Sequence, residues 1–321
     1  MNKSNIQVSI VIVCMNNLNN LYPCLESIRK FTKLEYETFV VAYLFSKENL
    51  NKVKFDFPWV TFIESNEPRG FSENNNLALR QTRGSYCFVL NDDTELVDPL
   101  IDKLVDTIEK LPETVGIVSP VLYLFDGSVQ FCGRPPIPLS KYVMSVFKLW
   151  NEGREISKYT NQCGIFKSYN ITGACFLIRR GLFEKVGWFD ERFFFTPEDI
   201  ALSTKLNKMG YECYVNADLK IIHFEGKTRK SSMSYASVKP ASMRGNLIYY
   251  ADGSCLRYAF LVGIHLISLP ALIAYHFLLG YNKEKPNIHY AMMVGYINSV
   301  KACFSKKSAK EIFKKYYEKY K

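Results

Sequence analysis

The run Val8-Ser9-Ile10-Val11-Ile12-Val13-Cys14 is apolar nearly without interruption and rich in β-branched residues. A strand that shows one face to water alternates polar with apolar residues, so this one expects cover on both faces, as in a parallel sheet between two helix layers. The remaining pattern agrees. A helix is expected over 18–31, strands over 39–45, 60–64 and 85–90, and a helix over 72–83 that carries Leu77 and Leu79. Alternating strand and helix gives a doubly wound α/β layer, with ligands at the carboxyl ends of its strands. Asp98-Pro99 reads as an N-cap and first helical residue for a helix to about residue 110. Residues 127–169, with Pro135, Pro136 and Pro138, read as an irregular insertion over the site. A strand at 173–178, a helix at 196–209 and strands at 213–215 and 220–224 complete a first domain, 1–226; residues 227–321 form a helical extension.

A chain of 321 residues, 48% hydrophobic and 15% aromatic, is globular and long enough for such a domain plus the extension. Its nine cysteines are scattered without metal-ligand spacing, as expected in a reducing cytoplasm. Residues 1–7 lack the basic-then-apolar layout of a secretory signal, so an intracellular location is expected. The charge is uneven. From residue 227 onward there are 16 Lys/Arg against 4 Asp/Glu, whereas residues 1–226 hold 25 against 27. No nucleic-acid motif accompanies this basic tail, and an uncharged apolar run, 258–279, precedes it. That run is long enough to cross a bilayer. Its Pro270, His265 and His276 favour an interfacial or packed helix pair over a single span. Phe304, Ile312, Phe313 and Tyr316 among the terminal lysines suit an anionic leaflet, and equally a solvated final helix.

Three constellations carry chemistry. The strand ending Tyr86-Cys87-Phe88-Val89-Leu90 runs into Asn91-Asp92-Asp93. Paired carboxylates there suit Mg2+ or Mn2+ on a diphosphate, although the same residues make ordinary turns. Thr196-Pro197-Glu198-Asp199 offers an Asp placed to take a proton from an attacking hydroxyl; the same residues also suit an N-cap and acidic first turn. His223-Phe224-Glu225-Gly226 offers an imidazole able to share a cation with Asp93, or a structural histidine. The three arrive in order, each at a strand end or helix start.

Together with Val8 to Asn17, Gly70-Phe71-Ser72-Glu73-Asn74-Asn75-Asn76, Thr172-Gly173-Ala174 and Val186-Gly187-Trp188-Phe189-Asp190, these residues resemble family 2 glycosyltransferases. The nearest resemblance is to the rhamnosyltransferase-like branch that builds bacterial surface polysaccharide, over about residues 6–226. It implies a GT-A fold and inverting transfer from a UDP- or dTDP-sugar, held through Mn2+ or Mg2+, to a glycan or lipid-linked glycan. It further implies that Asp199 is the base and that Asp93 and His223 bind the metal. Cys14, Asn16, Phe71, Asn75, Asn76, Asp92, Gly173, Trp188 and Glu198 would border the nucleotide-sugar or acceptor. A peripheral position on the cytoplasmic face of the membrane, against anionic lipid, is expected, and no nucleic-acid partner.

The chain departs from the family pattern at three places. No acid follows the second strand, which reads Val41-Ala42-Tyr43-Leu44-Phe45-Ser46; Asn91 opens the metal motif; and Ala201 stands where many relatives place an Asp. The first departure suits a non-catalytic glycan- or partner-binding module, whereas retention of Asp92, Asp93, Asp199 and His223 opposes it. A sugar nucleotidyltransferase would carry a Gly-rich phosphate loop after the first strand, and Met15-Asn16-Asn17-Leu18 lacks one.

Overall fold

The computed structural model describes residues 6–131, 133–224, 232–280 and 287–320. Ten strands form one sheet: β1 Val8–Cys14, β2 Tyr36–Tyr43, β3 Val60–Ser65, β4 Tyr86–Asn91, β5 Thr94–Glu95, β6 Val115–Tyr123, β7 Val129–Phe131, β8 Ile165–Ser168, β9 Cys175–Arg179 and β10 Glu212–His223. The order is β3-β2-β1-β4-β9-β6-β10-β5, with β7 beside β6 and β8 beside β10. β3, β2, β1 and β4 are mutually parallel, and β9 runs antiparallel between β4 and β6.

The unbroken apolar run of β1 has the expected cause. Val8, Ile10, Ile12 and Cys14 enter a core with the helices Leu18–Phe31 and Leu100–Lys110, while Val11 enters a second core with the helices Phe71–Leu79 and Glu198–Lys208. Both faces are dry, so both faces are apolar.

Several expectations change in detail. The segments 213–215 and 220–224 form one strand, β10, whose register against β6 breaks between Asn216 and Lys220. The helix after Asp98-Pro99 begins at Leu100, with Pro99 at the cap position; the Asp98 carboxylate pairs instead with Lys103 Nζ at 2.8 Å. The helix expected from residue 196 begins at Glu198. β6 was not expected from sequence, because Gly116 and Pro120 interrupt it. The segment expected to be irregular contains β7, β8 and the helix Leu139–Val146.

The extension is a helical layer applied to this domain. Cys255–Leu278 is one continuous helix through Pro270, not a pair, and it packs on Tyr235–Ala251 and Ile288–Cys303. The terminal helix Ala309–Tyr320 corrects the expectation of a lipid-facing tail. Its Ile312, Phe313 and Tyr316 are buried, and Phe313 stacks on Phe194 with ring centroids 4.4 Å apart. Lys310 Nζ lies 2.6 Å from Glu73 Oε1 on the helix Phe71–Leu79. An amphipathic face is satisfied by protein as well as by lipid, and here protein covers it; of the four residues only Phe304 is exposed.

Two glycines set how closely these layers approach. A Cβ on Gly70 would lie 2.1 Å from the Phe194 carbonyl oxygen, and one on Gly245 would lie 2.2 Å from that of Thr196. The backbone leading into Glu198 is thus held from both sides. Gly245→Ala is expected to lose about 1–3 kcal/mol of stability in chemical denaturation through overpacking. Gly263→Ala, with open space at its Cβ, is expected to be neutral or stabilising by up to about 1 kcal/mol.

Candidate active site

β4 ends at Asn91, and the chain turns through Asp92 and Asp93 into β5. β5 pairs with the end of β10, Thr94 opposite His223, and the Phe224 N–H donates to the Asp93 carbonyl at 2.8 Å. This pairing sets His223 Nε2 3.1 Å from Asp93 Oδ1 and 3.5 Å from Asn91 Nδ2. The other ring nitrogen, Nδ1, lies 2.6 Å from Gln130 Oε1, an atom that only accepts, so Nδ1 carries a proton. A neutral ring then turns the Nε2 lone pair toward a carboxylate, and two acceptors this close require a cation beside them, either a proton or a metal ion. Imidazole and carboxylate form a donor set suited to Mn2+. Among the described residues no group of three or more His, Cys, Asp or Glu side chains is arranged to hold a metal ion by itself. Glu225 and Gly226 of the expected motif lie outside the described residues.

Asp92 is buried beside this pair, and its Oδ2 has no hydrogen-bond partner. Burial pushes its carboxyl up to about 7, with Asp93 adding to the rise. Cys14 faces it from the end of β1, fully buried, its thiol raised by burial and then by Asp92.

β9 pairs antiparallel with β4, Cys175 opposite Leu90, and the Asn91 N–H donates to the Ala174 carbonyl at 2.9 Å. The turn before β9 is thereby fixed against the Asp92-Asp93 turn. From it the Gly173 N–H donates to Asp199 Oδ2 at 3.2 Å, and Gly173 lies against Phe71, where a Cβ would stand 3.5 Å from the ring and 3.7 Å from Asp199 Cβ. Asp199 heads the helix Glu198–Lys208, and its Oδ1 accepts the Ile200 N–H at 2.7 Å. Arg134 Nη1 donates to Asp199 Oδ2 at 2.5 Å. Glu198 is half-buried, with Oε2 shielded and unpartnered, and burial followed by the Asp199 charge pushes its carboxyl well above the usual range.

The structure therefore brings Asp92, Asp93, His223 and Cys14 together, and joins Gly173, Phe71, Asp199 and Glu198 to them through the turn before β9. Asn75 lies on the same helix as Phe71, its Nδ2 donating to the Phe71 carbonyl and its Oδ1 unpartnered. Asn16, at φ 49°, accepts on Oδ1 from Ser46 N at 3.3 Å and Asn49 Nδ2 at 2.8 Å, so two amides stand where the family acid is missing.

Two expected residues do not join. The Asn76 amide is fully used in a buried tie, donating to the Phe189 carbonyl and Glu191 and accepting from the Phe189 N–H. The Trp188 ring packs on Phe183 and under Arg180, whose N–H bonds Ser85 before the start of β4, the opposite end of that strand from Asp92. Conversely, Gln130 and Arg134 escaped sequence reading: each is a single polar residue in a segment with no periodic signal.

A family model described as Glycosyl transferase family 2 matches residues 9–187, more than half of the chain. The chain belongs to glycosyl transferase family 2. This family 2 glycosyltransferase is 29% identical over 213 residues to the O-antigen biosynthesis protein RfbC of Myxococcus xanthus, covering 64% of this chain and 16% of that protein. It is 27% identical over 173 residues to an N-acetylglucosaminyl-diphospho-decaprenol L-rhamnosyltransferase of Mycobacterium tuberculosis, covering 52% and 55% of the two. These relatives agree with the rhamnosyltransferase-like branch. Among solved structures it resembles GalNAc-T7 with UDP, GalNAc and Mn2+, at a TM-score of 0.58 and 15% identity over 99% of this chain and 57% of that one. It also resembles the mannosyltransferase PcManGT from Pyrobaculum calidifontis in complex with GDP-Man and Mn2+, at 0.52 and 17% over 95% and 89%. Both likenesses are to the GT-A fold.

The unpartnered Asp92 sets a pH signature. A carboxyl raised on folding contributes stability that is present below its unfolded value near 4 and lost as pH rises through about 7. Asp92→Asn removes the buried charge. Its stability relative to the wild type is expected to be about 2 kcal/mol more favourable at pH 8 than at pH 5 in chemical denaturation.

Proposed function

We propose that this glycosyltransferase moves one sugar, with inversion, from a UDP- or dTDP-sugar to a hydroxyl of a glycan or lipid-linked glycan, in surface polysaccharide synthesis. The observation that carries this reading is the division of the acids into two stations linked by one turn: Asp93 with His223 on one side, and Asp199 behind Gly173 on the other.

On this reading Asp199 accepts the proton of the acceptor hydroxyl. That oxygen bonds to the anomeric carbon as the bond from this carbon to the diphosphate breaks, and the electron pair leaves with the nucleoside diphosphate. The proton on Asp199 then passes to solvent. Asp93 and His223 would hold Mn2+ or Mg2+, which supplies neutralisation of the charge that gathers on the departing diphosphate. Both solved neighbours hold Mn2+, which supports this assignment. Asp92, Cys14, Phe71, Asn75 and Gly173 shape the donor side, and the Asn16 and Asn49 amides suit the hydrogen-bonding edge of a pyrimidine base. Residues 1–226 form the transferase domain and 227–321 its extension, with the boundary outside the described residues.

We further propose a peripheral position at the cytoplasmic face of the membrane. The helix Cys255–Leu278 is long and apolar enough to cross a bilayer, and 22% of its most apolar window is buried. It buries Leu261, His265, Ser268 and Leu269 against the protein, with the Tyr142 hydroxyl and His265 Nε2 2.8 Å apart. Leu256, Phe260, Ile267 and Leu278 are exposed along the other side. One side bound to protein, with His265 and Ser268 in it, and one bare apolar side suit a helix lying in the interface better than one crossing it.

Calorimetric titration with UDP and with dTDP, each with and without Mn2+, tests the donor site. Binding is expected to require Mn2+ and to weaken at least ~10-fold in Asp93→Ala, the loss typical of a metal ligand's support. Absence of nucleotide binding in every condition would favour a non-catalytic module. Cosedimentation with phosphatidylglycerol vesicles tests the second proposal. The full chain is expected to pellet and a Phe260→Glu/Ile267→Glu variant to stay in solution; equal pelleting would remove this helix from the contact.

A further inference from the structure

Arg134 lies between β7 and β8, in the segment that carries no sequence signal, and is 8% exposed. Its backbone is tied to the stretch after β8: the Arg134 N–H donates to Ser168 Oγ at 2.9 Å, and its carbonyl accepts the Asn170 N–H at 3.0 Å. From this anchor the guanidinium reaches two acids. Nε and Nη2 donate to the two oxygens of Glu152 at 2.7 and 3.2 Å, while Nη1 donates to Asp199 Oδ2 at 2.5 Å and to the Ile171 carbonyl at 3.0 Å. Burial opposes its charge, but Asp199 and Glu152 outweigh that and hold the guanidinium more firmly protonated than usual.

The hydrogen bonds of Asp199 leave an unequal remainder. A carboxylate accepts about four hydrogen bonds, two per oxygen. Oδ2 already receives Arg134 Nη1 and the Gly173 N–H, whereas Oδ1 receives only the Ile200 N–H. One acceptor position is open, and it is on Oδ1. The other titratable groups facing Asp199 are Glu152 across the guanidinium, Glu198 beside it and Tyr249 from the helix Tyr235–Ala251. Tyr249 is engaged by Thr204 Oγ1 at 2.8 Å, which leaves Arg134 as the cation in contact with the carboxylate among the described residues.

We propose that Arg134 is the positioning residue of the transfer: it locks the Asp199 carboxylate so that Oδ1 alone faces the acceptor hydroxyl, and Glu152 moderates it by sharing the guanidinium. This rests on Asp199 as the base. A bidentate guanidinium holds two carboxylates in fixed geometry in a way that a lysine ammonium, a point charge, does not.

The test follows nucleoside diphosphate release by the full chain with Mn2+, using the UDP- or dTDP-sugar that the wild type turns over. Arg134→Gln is expected to lower kcat ~10- to 100-fold, with KM for the donor within about twofold, since the lost interaction acts in the transition state. Arg134→Lys, which keeps the charge and not the planar fork, is expected to recover only part of that rate, and Glu152→Gln, which removes the second anchor of the guanidinium, to lower kcat less than Arg134→Gln. Folding of each variant is checked by UDP or dTDP binding, which a locked base does not touch. An Arg134→Gln variant that binds nucleotide normally and keeps the wild-type kcat overturns the proposal. Should Asp199→Asn itself turn over at the native rate, the base assignment fails instead.

Discussion

The antiparallel pairing of β4 with β9, closed by the Asn91 N–H bond to the Ala174 carbonyl, decides where every acid of the site stands. The strands up to β4 run parallel and end together, so Asp92 and Asp93 project from the carboxyl edge of that half of the sheet. β9 begins at that same edge because it runs the other way, and its leading turn carries Gly173 into contact with Asp199. One reversal of direction thus joins the Asp93–His223 pair, held by the ends of β4, β5 and β10, to Asp199 on the helix Glu198–Lys208. A wholly parallel sheet would have placed the turn before β9 at the far edge.

Buried charge is the second constraint. Asp92, Asp93, His223, Arg134 and Glu198 are all partly or wholly removed from water, where an unpaired charge is costly. The fold handles them unequally. Arg134 is satisfied by two carboxylates and a carbonyl, whereas Asp93 faces His223 Nε2 at 3.1 Å, a pair that a proton or a metal ion would complete. Asp92 Oδ2 and Glu198 Oε2 are left without partners, and their carboxyls are raised accordingly. Buried acids left without partners are a feature of sites that complete their hydrogen bonding only with ligand present.

The fold was legible wherever burial imposed a period. β1 declared itself because both of its faces are covered, and the order of Asp92-Asp93, Glu198-Asp199 and His223 carried the family resemblance. What was not legible has identifiable causes. β6 contains Pro120, and the bulge between Asn216 and Lys220 splits β10 into two apparent strands. The amphipathic pattern of Ile312, Phe313 and Tyr316 states that a face is buried, not what buries it; here Phe194 and Phe195 cover Phe313, while Ile312 and Tyr316 join a cluster with Met243 and Leu247. Trp188 and Asn76 sit inside the family motifs yet serve packing. Arg134 and Gln130 act through long-range contacts, 65 residues to Asp199 and 93 to His223, that no local spacing reports.

On the proposed reading the Asp93–His223 pair and Asp199 flank the reacting carbon, one holding the leaving diphosphate and the other the attacking hydroxyl. Their opposition fixes the anomeric configuration of the product, which NMR reads from a UDP- or dTDP-sugar donor of known configuration. Clean inversion in a single displacement is expected. A product that retains the donor's configuration would contradict it, because Asp199 could not then be acting as a base on the acceptor across from the diphosphate.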